Sequence, residues 1–205
     1  MLADYVYEFS WGMADQFAAR IPKERIIIAH EPHAKGHQKT GGWNHRMMVS
    51  YSDSFFNSSK VLVQGGNKFL LSKNFLFVVR VVDPMGQEVE LLVGNSLDPH
   101  YKHLKKTELP HKHLFEHSYT ILDTSEHAIF LHINHEGENS RYGNIYVSDS
   151  TGHRFNLALQ GNVREMTGQC DFERVQGLDG IYLANVYDMN QMKKHKQMEE
   201  VYDEQ

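Results

Sequence analysis

Short apolar segments separated by turn-forming residues recur along most of the chain. Alternation is clearest at residues 154–160, where Phe155, Leu157 and Leu159 share one face of an extended strand. We expect that strand to bury one side. The pattern predicts about a dozen strands and no internal helix. The predicted strands cover residues 5–9, 25–30, 47–51, 60–64, 68–71, 75–82, 88–93, 119–123, 128–133, 144–147, 155–159 and 180–186.

Segments without apolar periodicity mark the connections between strands. The longest, residues 31–45, contains three glycines and is expected to be exposed and mobile. Residues 137–142 predict a surface turn. The tail at 189–205 mixes Lys, Glu and Met, which predicts disorder or a frayed helix. We therefore expect one folded domain at residues 1–188, followed by a charged tail at 189–205.

One predicted hairpin carries the S-x-D-x-G-x-x-[WFY] frame of the Asp-box turn. The residues concerned are Ser148, Asp149, Ser150, Gly152 and Phe155. Three of the four defining positions match, whereas Ser150 stands where an aspartate is usual and Asp149 comes one place early. Gly152 would supply a positive φ, Phe155 would pack beneath the hairpin, and short polar side chains would accept backbone N–H groups. We expect such turns to be structural rather than catalytic.

Weaker matches to this turn motif occur at residues 51–56 and 94–101. Regularly spaced short strands are typical of an antiparallel sandwich, a barrel or a propeller. Recurrence of a turn motif at roughly 45 to 50 residues is typical of a blade repeat. The sequence therefore predicts an all-β chain that forms a partial β-propeller.

Composition narrows the possible functions. A net charge of -5 gives no support to nucleic-acid binding. No apolar stretch is long enough to span a membrane, and the first residues lack the features of a signal peptide. Cys170 is the single cysteine, so no internal disulfide can form. Asn57 begins an N-x-[ST] triplet, a predicted glycosylation site that would be modified only in the secretory lumen.

The 14 histidines suggest either metal binding or pH sensing. Spacings such as His30, His33 and His37 are not completed by carboxylates or cysteines into a four-ligand set, so we predict no metal and no cofactor. Protonation of every histidine would reverse the sign of the net charge at acid pH. A pH-sensing role therefore stays open beside the simpler reading of ordinary exposed histidines.

No catalytic motif is present in the sequence. The chain lacks a G-x-S-x-G elbow, a recognisable Cys-His motif and a phosphate-binding glycine loop. Glu88 and Glu90 would share one face of a strand, a pairing compatible with glycosidase chemistry but common on exposed strands. We expect the protein not to be an enzyme.

Six segments in order resemble the sortilin-type vacuolar protein-sorting receptors, in particular the fungal vacuolar carboxypeptidase receptors. They read DYVYEFSWG, IPKERIIIAHEPHAKGHQKTGGW, NKFLLSKNFLFVV, SYTILDTSEHAIFLHI, YGNIYVSDSTGHRF and CDFERVQGLDGIYLANV. The resemblance implies a ten-bladed propeller with a cargo-binding tunnel, followed by cysteine-rich modules, one membrane span and a cytoplasmic tail. The chain would supply three to four blades of that ring and would be a fragment of the receptor.

The resemblance also implies ligand positions. Phe77 and Tyr119 match two tunnel aromatics, although both would serve equally well as core residues. The arginine that holds a peptide's carboxylate in sortilin should fall near residues 88–90, where Glu88 and Glu90 stand. Capture of a carboxylate is therefore not expected at this position, because like charges repel.

The resemblance implies a module in the Golgi and endosome lumen that binds cargo proteins or the propeptides of vacuolar hydrolases. Its other partner would be the rest of the propeller, and it would reach the membrane only through the receptor's span. One alternative is an Asp-box hydrolase of the sialidase kind, which would need three clustered arginines, whereas the eight here are scattered. The other alternative is an inactive truncated product, whose open blade faces would cause aggregation.

Overall fold

The computed structural model describes residues 5–12, 21–32, 44–72, 75–95, 98, 100–110, 113–124, 127–135, 140–165, 167–188 and 190. Within these ranges, all fifteen elements with defined bounds are β-strands. Every pairing between those strands is antiparallel. The described part of the chain contains no helix long and apolar enough to cross a membrane.

Strands that follow one another along the chain pair within the same sheet, and they form three larger sheets and a final strand pair. The first sheet contains β1 (Tyr5–Trp11), β2 (Ile26–Glu31), β3 (Met48–Ser52) and β4 (Lys60–Gln64). The second contains β5 (Gly66–Ser72), β6 (Phe75–Asp83), β7 (Glu88–Asn95), β8 (Lys105–Lys106) and β9 (Leu114–Phe115), where both β8 and β9 pair with β7. The third contains β10 (Tyr119–Asp123), β11 (Phe130–Ile133), β12 (Tyr142–Ser148) and β13 (Phe155–Val163). A final pair consists of β14 (Phe172–Arg174) and β15 (Tyr182–Ala184).

The strand order defines the architecture. Each of the three larger sheets runs through four strands in sequence order, which is the up-and-down arrangement of a propeller blade. The strand pair β14–β15 follows the third sheet. The predicted fold class, an all-β partial propeller, is therefore confirmed.

The second sheet is the centre of the core because both of its faces are covered. On β6, Phe75, Phe77 and Val79 pack against the third sheet, while Leu76 and Val78 pack against the first. Alternate side chains of a strand point to opposite faces, so burial of both faces requires a continuous apolar run. The uninterrupted apolar segment at residues 75–79 is explained by this position between two neighbours.

An aromatic cluster joins the third sheet to the last strand pair. The ring centroid of Phe130 lies 5.4 Å from that of Phe172 and 4.6 Å from that of Tyr182. Phe172 and Tyr182 stack on each other at 4.9 Å. Tyr182 also donates a hydrogen bond from its hydroxyl to Asp123 Oδ2 at 2.8 Å. The strand pair therefore packs on the face of the third sheet that is turned away from the second.

All twelve predicted strands coincide with observed strands, although several bounds differ by a few residues. Three strands were not predicted: β8, β9 and β14. Two of these are only two residues long, and β8 is an exposed lysine pair without any apolar position. Such short edge strands are defined by their pairing partners, so they leave no pattern in the sequence.

Three expectations were wrong in detail. Leu157 is 45% exposed because β13 is the last strand of its sheet, so only part of its predicted apolar face is covered. Glu31 is not part of an exposed loop but ends β2, where it is buried and accepts a hydrogen bond from Arg46 Nη2 at 2.6 Å. Tyr142 belongs to β12 rather than to a turn. Residues 33–43 and, apart from Asn190, the tail at 189–205 lie outside the described residues.

Candidate functional site

The first strands of the three sheets adjoin one another. Glu8 on β1 accepts a hydrogen bond at its Oε2 from the backbone N–H of Phe69 on β5, at 3.2 Å. At the end of β5, the Ser72 hydroxyl lies 2.7 Å from the hydroxyl of Thr124, which follows β10. Each of these strands ends its sheet in the strand order. The side of the molecule that they form is therefore a row of sheet edges.

A cleft of about 340 Å³ opens along this row, and we call it the first-strand cleft. Its apolar wall consists of Phe69, Leu70, Phe77, Val79, Tyr119 and Ile121. Its polar lining consists of Glu8, Lys68, Glu116, His117 and Thr120. This combination of an apolar wall with a few polar groups is typical of a binding site.

Phe77 and Tyr119 both line the first-strand cleft. Phe77 is 1% exposed and its ring centroid lies 6.0 Å from that of Phe75 in the core. Tyr119, at the start of β10, is partly buried against the same core, and this burial raises the pKa of its hydroxyl. The two aromatics therefore form the base of the cleft and part of the core at once.

The polar side of the cleft is organised around Glu116. Its side chain is 3% exposed, and its carboxylate forms an ion pair through Oε1 with Lys68 Nζ. Its Oε2 is buried and has no hydrogen-bond partner in the part of the chain that the structure describes. Sequence reasoning missed this residue because Glu116 lies in a polar turn between short strands, where burial is not apparent.

The position expected for a carboxylate-holding arginine lies on β7, outside the lining of the cleft. Glu90 forms ion pairs with Arg80 and, at 3.1 Å, with Lys106. Glu88 Oε1 lies 2.7 Å from His113 Nδ1. Glu90 is therefore engaged by two local cations, and Glu88 by a neighbouring imidazole.

The Asp-box hairpin joins β12 to β13. Asp149 Oδ1 accepts hydrogen bonds from the Thr151 N–H at 3.1 Å, the Thr151 hydroxyl at 2.7 Å and the His153 N–H at 3.2 Å. Burial opposes ionisation of Asp149, but these hydrogen bonds outweigh it and lower the pKa of the carboxyl. Asp149, one place early in the frame, is thus a short polar side chain that accepts backbone N–H groups in this turn, as expected for the motif.

Three further motif residues anchor the hairpin to its surroundings. Ser148 Oγ accepts a hydrogen bond from the Ile129 N–H at 2.8 Å. Gly152 has a φ of +79°, and a Cβ placed there would lie 2.8 to 3.0 Å from side chains of the second and third sheets. Phe155 is buried in the core between those sheets. The hairpin therefore fixes one blade to the next.

The two weaker matches to the Asp-box, at residues 51–56 and 94–101, lie at places equivalent to that of the hairpin. They connect the third and fourth strands of the first and second sheets. In the first sheet, Ser52 Oγ accepts hydrogen bonds from the N–H groups of Ser54 at 3.1 Å and Phe56 at 2.8 Å. In the second, Asp98 accepts hydrogen bonds from the N–H groups of His100 at 3.1 Å and His103 at 3.0 Å. A side-chain oxygen therefore organises the same turn in all three blades.

Several of the described histidines contact a neighbouring hydroxyl group. His30 contacts the Ser50 hydroxyl at 2.9 Å, and His135 contacts the Tyr146 hydroxyl at 2.8 Å. His132 is fully buried, and burial, assisted by the nearby charge of Arg164, lowers its pKa to about 4. Among the described residues no group of three His, Cys, Asp or Glu side chains is placed to hold a metal ion. His33, His37 and His111 lie outside those residues.

Among the described residues, five arginines form ion pairs with five different acids. The pairs are Arg25–Asp53, Arg46–Glu31, Arg80–Glu90, Arg154–Glu108 and Arg174–Asp179. A sialidase-like site would require three guanidiniums directed at one anion, so these pairs do not favour the hydrolase alternative.

Asn57, the predicted glycosylation site, is exposed in the turn between β3 and β4. Cys170 is a free, partly buried cysteine.

Comparison with known proteins gives a consistent result. A vacuolar protein sorting/targeting protein 10 from Laccaria bicolor is 34% identical over 190 residues, which cover 91% of this chain and 12% of that protein. The protein of the same name from Paracoccidioides brasiliensis (strain Pb03) is 33% identical over 149 residues, covering 70% of this chain and 10% of that protein. The chain thus spans only about a tenth of the length of these curated relatives.

The family model described as "Sortilin, neurotensin receptor 3" matches residues 1–202. This match includes every described strand, the first-strand cleft and the Asp-box hairpin. The chain belongs to the Sortilin-Vps10 family.

Proposed function

We propose that the chain forms part of the lumenal, cargo-binding propeller of a transmembrane receptor that sorts vacuolar hydrolases from the Golgi to the endosome. The observation that carries the proposal is the family match over residues 1–202, together with relatives whose name is vacuolar protein sorting/targeting protein 10. The family consists of sorting receptors rather than enzymes. The proposed role is therefore binding without catalysis.

The first-strand cleft is the proposed cargo site. Phe77 and Tyr119 form its base, and Leu70, which is 46% exposed, lies on its wall. Since β5 and β10 end their sheets, a peptide in extended conformation could add hydrogen bonds to one of these edges. Such main-chain pairing requires no catalytic group and suits an extended propeptide.

Residues 1–188 are the proposed propeller portion, and the rest of the receptor propeller is its proposed partner. Val6, Phe9 and Trp11 on β1 are 46%, 75% and 57% exposed. Elsewhere in the chain, apolar strand side chains pack against the neighbouring sheet. A preceding blade would therefore cover these three exposed side chains of β1. Asn57 is the proposed glycosylation site of the lumenal surface.

Two matched variants test the proposal. L70E places a charge on the wall of the cleft, and L157E places the same charge on β13 at a leucine of nearly equal exposure. We expect the full chain to bind a purified vacuolar hydrolase precursor but not the mature enzyme, with binding lost in L70E and retained in L157E. Absence of precursor binding, or equal effects of the two variants, would contradict the proposal.

A further inference from the structure

We propose that the first-strand cleft accepts a cationic side chain, Lys or Arg, of an extended peptide, with Glu116 Oε2 as the acceptor of its N–H group. This inference rests on the proposed function, because it specifies the class of cargo that the same cleft would hold. It adds a residue, Glu116, that neither the sequence motifs nor the resemblance assigned.

The buried carboxylate of Glu116 is the first observation. With 3% of the side chain exposed, its Oε1 is paired with Lys68 and its Oε2 has no hydrogen-bond partner among the described residues. A buried acceptor without a partner is costly, more so for a charged group. A donor supplied by a ligand would remove that cost, so binding of a donor at this position would be favourable.

The balance of charge in the cleft is the second observation. Among the described residues that line it, Glu8 and Glu116 carry carboxylates and Lys68 carries the one ammonium group. The ammonium group of Lys68 pairs with Oε1 of Glu116, which leaves Oε2 for a second cation. Two carboxylates against one ammonium leave an excess negative charge, which attracts a cation and repels a carboxylate.

The shape of the cleft is the third observation. Lys and Arg carry long aliphatic stems that pack on apolar surface while the charged end reaches a polar group. Leu70, which is 46% exposed, supplies such a surface in the cleft that Glu116 also lines, and Phe77 lies at its base. A volume of about 340 Å³ lies at the small end of the range for ligand sites and accommodates one or two side chains.

The test uses the full chain and three acetylated, amidated heptapeptides, Ala-Ser-Leu-X-Leu-Ser-Ala, in which X is Arg, citrulline or Glu. Citrulline has nearly the shape of Arg without its charge. We expect the Arg peptide to bind about ten-fold more tightly than the citrulline peptide, and the Glu peptide to bind most weakly. In E116Q the Arg and citrulline peptides should bind equally, while E173Q, at an exposed glutamate on β14, keeps the preference.

Should E116Q fail to fold, as judged by its thermal melt, E8Q at the other carboxylate of the cleft provides the second variant, with a smaller loss of the same preference. Equal binding of the Arg and citrulline peptides to the wild-type chain overturns the inference, and so does absence of binding by all three. Binding of the hydrolase precursor is measured in parallel. Retained precursor binding would then leave the proposed function standing, whereas its absence would remove both.

Discussion

Arg25 donates two hydrogen bonds to Asp53, from Nε to Oδ1 at 2.7 Å and from Nη2 to Oδ2 at 2.8 Å. The Arg25 side chain is completely buried. Its guanidinium carbon lies 4.3 Å from the ring centroid of Tyr51 in the first sheet and 5.8 Å from that of Tyr101, in the connection between β7 and β8 of the second sheet. The ion pair lowers the pKa of Asp53. A single buried cation therefore holds two blades together.

Replacing Asp53 by Asn should destabilise the chain by about 2 to 3 kcal/mol, because a buried guanidinium loses its counter-charge. Urea denaturation measures the loss. The matched control is D179N, which breaks the exposed pair between Arg174 and Asp179 and should cost less than about 1 kcal/mol. Equal midpoints for the two variants would contradict the structural role of the Arg25–Asp53 pair.

Gly152 and Gly177 allow the Asp-box packing to be separated from backbone strain. Both have positive φ, +79° and +80°, but a Cβ would meet Ile129, Val93 and Phe75 at Gly152 and nothing within 4 Å at Gly177. G177A should cost about 1 kcal/mol for strain alone, and G152A about 2 kcal/mol more for the clash with the core. Differential scanning calorimetry would reveal similar melting temperatures if the hairpin did not lock adjacent blades.

His132 predicts a specific dependence of stability on pH. Its pKa is lowered to about 4 in the folded chain, against a reference near 6.5 when unfolded. The unfolded chain therefore takes up the proton first, so this histidine lowers stability as pH falls from about 6.5 to 4, by about 2 to 3 kcal/mol in all. H132Q should reduce the slope of unfolding free energy against pH over that interval. An unchanged slope in H132Q, with H45Q as the control at an exposed histidine, would rule out this assignment.

Much of the fold could be predicted because strand burial leaves a direct pattern in the sequence. The apolar run of β6 predicts a strand, and its burial by both neighbouring sheets explains why the run is continuous. The exposed Lys105–Lys106 strand could not be predicted, because its only signature is a pair of backbone contacts with β7. Local pattern therefore predicts central strands and misses short edges.

The site was less predictable for a related reason. The resemblance implies Phe77 and Tyr119 as ligand positions, and both line the first-strand cleft, while their role in binding stays a prediction. Glu116 and Arg25 could not be predicted, because a charged residue beside a strand ordinarily indicates a solvent-exposed turn. Their burial depends on how adjacent sheets pack, which no local stretch of sequence contains.

Asn57 should carry an N-linked glycan when the chain is expressed through a secretory pathway. The residue is exposed in a turn, where an oligosaccharide can be attached without disturbing the sheet. N57Q and S59A should both remove the shift in mobility that an endoglycosidase abolishes in the wild-type chain. Persistence of that shift in either variant would refute modification at this triplet.

The central claim is that the row of first strands is where cargo binds. Hydrogen–deuterium exchange of the full chain, with and without a vacuolar hydrolase precursor that retains its propeptide, tests it most directly. The account predicts slower exchange in β5 and β10, at residues 66–72 and 119–123, on addition of the precursor. Protection confined to the Asp-box hairpin at 148–155, or no protection anywhere, would contradict it.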